Sequence, residues 1–237
     1  MQNLKKLVPE FAKPVLRNIR ASFVNSPVVN SPLWRKATQQ YRSRQELHRY
    51  WKAPVDDGNM AKAYLEGEQR SRYLVSLIRE HVQSDAKILE IGCNIGRNLH
   101  YLHQSGFHNL NAIEISENAV HLLKENFPEM AQSATIHNSA IEDVIKTFRD
   151  SEFDVVYTMA VLEHIHTESE WIFAEMKRIA GKVLITIEDE QGVSWRHFPR
   201  NYQQIFESLG LKQVKHAECV DLEGLGKGFF ARVFVKA

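Results

Sequence analysis

From residue 68 onward the chain alternates between stretches with helical hydrophobic spacing and short, nearly continuous apolar runs, a pattern that confines it to helices packed on a mostly parallel sheet. A helix over 72–82 places Leu74, Leu77, Ile78 and His81 on one face, and residues 87–91 form a buried strand. Leu99 and Leu102 belong to the next helix, which stops at Gly106 before a second strand over 110–113. Ser116 caps a helix carrying Val120, Leu122, Leu123 and Phe127 that Pro128 closes. A third strand over 135–137, a helix over 141–148 and a fourth strand over 153–158 follow. Thr167 and Glu170 have capping-box spacing ahead of Ile172, Phe173, Met176 and Ile179, with Gly181 past the helix end and a fifth strand over 183–187. After a helix with Tyr202, Ile205, Phe206 and Leu209, the strands over 211–220 and 229–235 are joined only by a Gly-rich loop. A parallel crossover needs far more chain, so these two form an antiparallel pair. The expected architecture is therefore α/β, a doubly wound, seven-stranded, mostly parallel sheet ending in an antiparallel pair.

The first sixty residues differ in kind. The net charge of +1 hides +9 over residues 1–52 against −8 over the rest, and five of the seven prolines fall at positions 9, 14, 27, 32 and 54. This divides the chain into a basic helical arm or cap over 1–60 and a main domain over 61–237. Leu4, Leu7, Val8, Phe11, Val15, Ile19 and Phe23 give the arm an amphipathic pattern, with Pro14 in the first turn of a second helix. Such an arm either docks on an anionic membrane surface or packs on its own domain or a partner. The charge comes without a nucleic-acid-binding signature, so no nucleic-acid partner is expected. Asn-Ser-Pro at 25–27 and 30–32 marks loops, and Trp34, Tyr41, Tyr50, Trp51 and Tyr64 are either half of a substrate lid or helix faces lying on the domain. No apolar run approaches the length of a membrane span, Pro9, Glu10, Lys13 and Pro14 interrupt any secretory core, and Cys93 and Cys219 are too few for a disulfide framework. A cytoplasmic protein is expected, with the inner membrane face as its peripheral contact.

The segment Ile88-Leu89-Glu90-Ile91-Gly92-Cys93-Asn94-Ile95-Gly96-Arg97-Asn98 carries the most chemistry: a buried strand ends in a carboxylate and turns through glycines into a helix. Its G-x-x-x-G spacing is neither the G-x-G-x-x-G of nicotinamide sites nor a P-loop. Glu114 ends the second strand, where an acid pairs with ribose hydroxyls in nucleotide-binding doubly wound folds.

These residues, with Phe153-Asp154-Val155-Val156-Tyr157-Thr158-Met159-Ala160-Val161-Leu162-Glu163-His164-Ile165, resemble the ordered motifs of class I S-adenosylmethionine-dependent methyltransferases of the small-molecule type, over residues 68–237. The resemblance implies S-adenosylmethionine as cofactor, with the loop Gly92, Cys93, Asn94 and Gly96 around its methionine part and Glu90 near the ammonium. It further implies Glu114 on the ribose, Ile115 against adenine, Ser139, Ala140 and Ile141 lining the adenine pocket, and Thr158, Met159 and Ala160 beside the sulfonium. Two positions depart from the family pattern: Asn94 replaces a frequent glycine, and Ser139 stands where many members have Asp, leaving adenine to backbone or water contacts. Arg70, with Arg72 as its rival, would pair with the cofactor carboxylate. His164, just past the fourth strand, is the expected general base, with His166 and His197 as rivals. Glu188, Asp189 and Glu190 would attract an amine, hold a divalent cation, or form a solvated turn. No zinc spacing and no catalytic-nucleophile set is present. The expected activity is methyl transfer to an oxygen or nitrogen of a small molecule or cell-envelope glycan; the alternatives are an aminopropyl-transferring or other nucleoside-binding enzyme, a nicotinamide oxidoreductase, or a non-catalytic binding subunit.

Overall fold

A computed structural model describes residues 43–55 and 57–236. The amphipathic pattern from Leu4 to Phe23, the two Asn-Ser-Pro loops, Trp34 and Tyr41 lie outside the described residues. Five strands, β1 (Ile88–Ile91), β2 (Leu110–Glu114), β3 (Thr135–Asn138), β4 (Phe153–Met159) and β5 (Ala180–Asp189), run parallel. With β6 (Leu211–Glu218) and β7 (Phe229–Lys236) they form one seven-stranded sheet of order β3-β2-β1-β4-β5-β7-β6. β7 inserts antiparallel between β5 and β6, as the short 221–228 connection requires.

Strand alternation sorts side chains onto two faces. Ile88, Val155, Tyr157, Val183 and Ile185 meet Leu74 and Ile78 of α2 (Glu68–Arg79) and Leu99 and Leu102 of α3 (Arg97–Gln104). Leu123 of α4 (Glu117–Asn126) and Met130 of α5 (Pro128–Ser133) complete that layer. On the opposite face Leu89, Ile91, Val156 and Leu184 pack with Ile141 of α6 (Ile141–Val144), Phe173, Met176 and Ile179 of α7 (Ile172–Ile179), and Phe206 of α8 (Tyr202–Ser208). Each fully buried aliphatic or Phe side chain contributes about 1.5–3 kcal/mol, so both layers weigh heavily in stability.

Local differences from the sequence reading have identifiable causes. α2 starts earlier than expected, from Gly67 at φ +100°. Pro128 does not merely close α4: it opens α5, where its missing N–H costs nothing. The helix expected over 141–148 is a single α turn followed by a 3₁₀ turn, Ile145–Thr147. Thr167 does not cap α7. It begins a separate 3₁₀ turn, Thr167–Ser169, in which His166 Nδ1 accepts from Glu168 N at 3.2 Å. Gly181 lies inside β5 because Ala180 already pairs with Phe153, and an added Cβ there would sit 3.1 Å from Phe153 O. β6 ends at Glu218, short of the expected Val220.

One helix of the segment read as an arm lies among the described residues. In α1 (Arg44–Lys52), Ser43 and Glu46 form a reciprocal capping box. α1 crosses the carboxyl ends of β2 and β3: Ser116 Oγ donates to Lys52 O at 3.1 Å, and His48 Nε2 lies 3.1 Å from Glu142 Oε1. Among the described residues no helix is long and apolar enough to cross a membrane.

Candidate active site

Strand order reverses between β1 and β4, and at their carboxyl ends the sheet opens into a cavity of about 590 Å³ roofed by α1. This is where open α/β sheets bind ligands. Glu90, one residue before the end of β1, is almost fully buried, and its Oε1 accepts from Asn98 Nδ2 at 2.8 Å. Asn98 is oriented by Ser71, whose hydroxyl donates to Asn98 Oδ1 at 2.7 Å and accepts from Arg97 Nε at 2.9 Å. Glu90 Oε2 makes no hydrogen bond of regular geometry, and burial pushes the carboxyl up to about 7, against the opposing pulls of Asn98, the neighbouring Tyr157 hydroxyl and the Arg97 charge. A buried acid of this kind gains by receiving a cation.

The turn after β1 needs positive φ at three residues: Gly92 at +74°, Asn94 at +48° and Gly96 at +75°. A Cβ on Gly92 would come 2.5 Å from Val161 Cγ2, and one on Gly96 would come 2.7 Å from Leu123 Cδ1. Asn94 therefore takes the place of a glycine at tolerable cost, since asparagine enters the left-handed region more readily than other non-glycine residues. Its N–H donates to Glu114 Oε2 at 2.7 Å, while Ser116 N donates to Glu114 Oε1 at 2.7 Å. Two amides thus fix the Glu114 carboxylate and leave lone pairs for two further donors. Ile115, Ser139, Ala140, Ile141, Met159 and Ala160 line the same cavity, as do Cys93 and Asn94. Ala160 is held at φ +56° by donating its N–H to Ile187 O at 2.8 Å.

Thr158 is an exception to the expected set. It is fully buried and off the cavity wall, because alternation along β4 sends its side chain away from the face that carries Tyr157 and Met159. Arg70 reaches the cavity, donating to Gly224 O and Glu66 O, both at 3.2 Å. Arg72 turns away to pair with Glu68 and cover the Tyr101 ring. Arg97 was not singled out from sequence, yet it is buried on the cavity wall and donates to Tyr64 O at 3.1 Å and Glu66 O at 2.8 Å. Burial pulls its guanidinium down to about 10.

The loop after β4 carries the expected base. Val161 N and Leu162 N donate to Glu188 Oε2, each at 2.9 Å, while Arg200 donates to Leu162 O at 2.9 Å and Ile165 O at 2.7 Å. A buried acid and a buried cation clamp this loop from either side. His164 Nδ1 lies 2.7 Å from Arg196 O, which only accepts, so this nitrogen carries the proton and Nε2 presents a lone pair. Burial holds His164 well below the usual histidine range, and its ring packs 4.4 Å from that of Trp51 and 4.6 Å from that of His197. His197 Nδ1 contacts Ser194 Oγ at 2.6 Å. His166 also lines the cavity, but its Nδ1 serves the turn described above. Glu163, His164 and His197 each bring one ligand atom within 4.8 Å of the others, a cluster with cation-binding chemistry that local spacing did not show.

Glu188 and Asp189 lie within β5 and only Glu190 follows it, so the three are not a solvated turn, and none of them lines the cavity. Glu188 clamps the His164 loop, Glu190 pairs with Arg232 at 2.6 and 2.8 Å, and Asp189 Oδ1 accepts from Gln191 N and Gly192 N.

A family model described as "Methyltransferase domain" matches residues 89–183, the stretch that supplies the Gly-rich turn, Glu114 and the His164 loop. Over these residues the chain carries a methyltransferase domain. This methyltransferase chain is 27% identical over 146 residues to the ubiquinone biosynthesis O-methyltransferase of Rickettsia bellii, a match covering 59% of this chain and only 56% of that relative. In fold it is similar to a TehB-like SAM-dependent methyltransferase from Corynebacterium glutamicum, with TM-score 0.56 and 23% identity over 75% of this chain and 98% of that one. A SAM-dependent methyltransferase from Aquifex aeolicus is similar too, with TM-score 0.56 and 17% identity over 76% and 98%.

Proposed function

We propose that this protein transfers a methyl group from S-adenosylmethionine to an oxygen of a small-molecule acceptor. The observation that carries the reading is the unpartnered Oε2 of Glu90, on the same cavity as the amide-fixed Glu114 carboxylate and His164, whose Nε2 lies 3.5 Å from Glu163 Oε1. An acid without a counter-ion suits the cofactor's ammonium, the remaining lone pairs of Glu114 suit two ribose hydroxyls, and the glycine turn lets the chain approach closely. Arg70 and Arg97 stand on the wall as cations for the carboxylate. When bound, the cofactor supplies a methyl group activated by a sulfonium. The protein's part is alignment, worth several kcal/mol of barrier, together with removal of the acceptor proton.

His164 is suited to that second task because burial keeps it neutral near pH 7 and the Arg196 carbonyl fixes its tautomer. Oxygen is preferred over nitrogen because the curated relative is named an O-methyltransferase. The two buried free cysteines agree with a reducing, cytoplasmic setting. Calorimetry with S-adenosylhomocysteine tests the reading: well-folded protein that takes up none refutes it. His164→Ala should lower turnover of a found acceptor by about 100-fold or more while S-adenosylhomocysteine affinity stays the same. Unchanged turnover would remove His164 as the base.

A further inference from the structure

Beside His164 the cavity wall carries a cation whose setting calls for an anion. The Arg196 guanidinium lies 5.5 Å from the centre of the Tyr50 ring and 5.7 Å from that of Trp51. In the amide orientation that satisfies both groups, the Asn59 side-chain oxygen accepts from its two terminal nitrogens at 3.0 and 3.2 Å. Two of five N–H donors are thereby used and the plane is fixed. Among the described residues no carboxylate forms an ion pair with it within 4.0 Å. Burial and the neighbouring Glu188 push the Glu163 carboxyl well above the usual range, so its surroundings disfavour the charged form. A half-buried guanidinium without a counter-ion is costly, and it favours a ligand that brings one.

The surroundings narrow the ligand further. The rings of Trp51, His164 and His197 lie on the cavity wall, Trp51 and His164 4.4 Å apart and His164 and His197 4.6 Å apart, so flat surfaces line this end of the cavity. A volume of about 590 Å³ shared with a nucleoside leaves room for a compact acceptor and not for a polymer. Resting on the methyl-transfer reading, we infer that the acceptor is a small aromatic hydroxy acid whose carboxylate is received by Arg196 while its hydroxyl is presented to His164. A planar carboxylate matches the guanidinium edge with two parallel hydrogen bonds, which a lysine could not reproduce.

The test uses the full chain, saturated first with S-adenosylhomocysteine and then titrated calorimetrically with salicylate or salicylamide, which share shape and differ in charge. Salicylate should bind at least tenfold more tightly than the amide. Arg196→Met should abolish that preference, and Arg196→Lys should keep only part of it, with S-adenosylhomocysteine affinity unchanged in both. Equal binding of the two probes, no binding of either, or a preference that survives Arg196→Met overturns the inference and leaves the cofactor reading standing. Failure of S-adenosylhomocysteine itself to bind overturns both.

Discussion

Replacing Glu90 with glutamine isolates the energy held in the buried acid of the β1 turn. The carboxyl is pushed from its ordinary 4.5 up to about 7 by burial, so folding favours its protonated form. Its contribution is complete below about pH 4.5 and is lost as pH rises through 7. A shift of about 2.5 units at 1.36 kcal/mol each makes the loss about 3 kcal/mol on reaching pH 8–9. Glutamine keeps an oxygen for the Asn98 amide and cannot ionise, so in urea titrations the ligand-free Glu90→Gln protein should gain on wild type by about that amount between pH 5 and 9. Glu188, also pushed up to about 7, keeps its slope in both proteins and cancels in the difference. Ligand binding reads the same group with the opposite sign. Close to pH 7 about half of the Glu90 carboxyls are protonated, and an arriving ammonium forces them to ionise. Wild type should release about 0.5 proton per S-adenosylhomocysteine bound, measured by calorimetry in phosphate and Tris, and the variant should release less by that amount and bind more weakly. Parallel stability curves, or equal proton release from the two proteins, would refute the assignment of the strained acid to Glu90.

Gly92→Ala should cost about 1–2 kcal/mol from the left-handed backbone alone and more from the Cβ driven into Val161, with weaker S-adenosylhomocysteine binding. Gly106→Ala is the control: φ is +90° there but nothing lies within 4 Å of an added Cβ, so urea melts should register the backbone strain while affinity stays level. Arg200→Met leaves the Ile165 carbonyl without its donor, at about 1–3 kcal/mol, and Leu162 O with only the Ile165 N–H, and should lower the thermal midpoint and turnover more than S-adenosylhomocysteine affinity. Ser116→Ala removes both the α4 cap and the bond to Lys52 O, at about 1 kcal/mol for the cap; hydrogen exchange should quicken in α1 and leave β1 unchanged.

The architecture was legible because β1, β2, β4 and β5 are covered on both sides and appear as short apolar runs, while turn residues mark their ends. Glu90 and Glu114 stand out because one lies next to the end of such a run and the other ends it, where the chain leaves the sheet at its ligand-binding edge. The supporting residues could not. Arg200 acts on carbonyls 38 and 35 positions away, Glu188 on amides some 25 away, and Arg97 on a carbonyl 33 away, so no local pattern links them. Helix boundaries failed where a tertiary contact outranked the local signal, as at Gly181, drawn into β5, and at Thr167, displaced by the His166 turn. Thr158 was misplaced by one step of strand alternation, which is enough to move a side chain through the sheet.

The roof helix has a kinetic corollary. α1 is tied at Lys52 to the turn that fixes Glu114 and at His48 to Glu142 of α6, yet through Trp51 it also closes over His164. One rigid lever therefore bars both compartments. Whatever swing of that lever admits the nucleoside also uncovers the acceptor chamber, so the two compartments open and close as one.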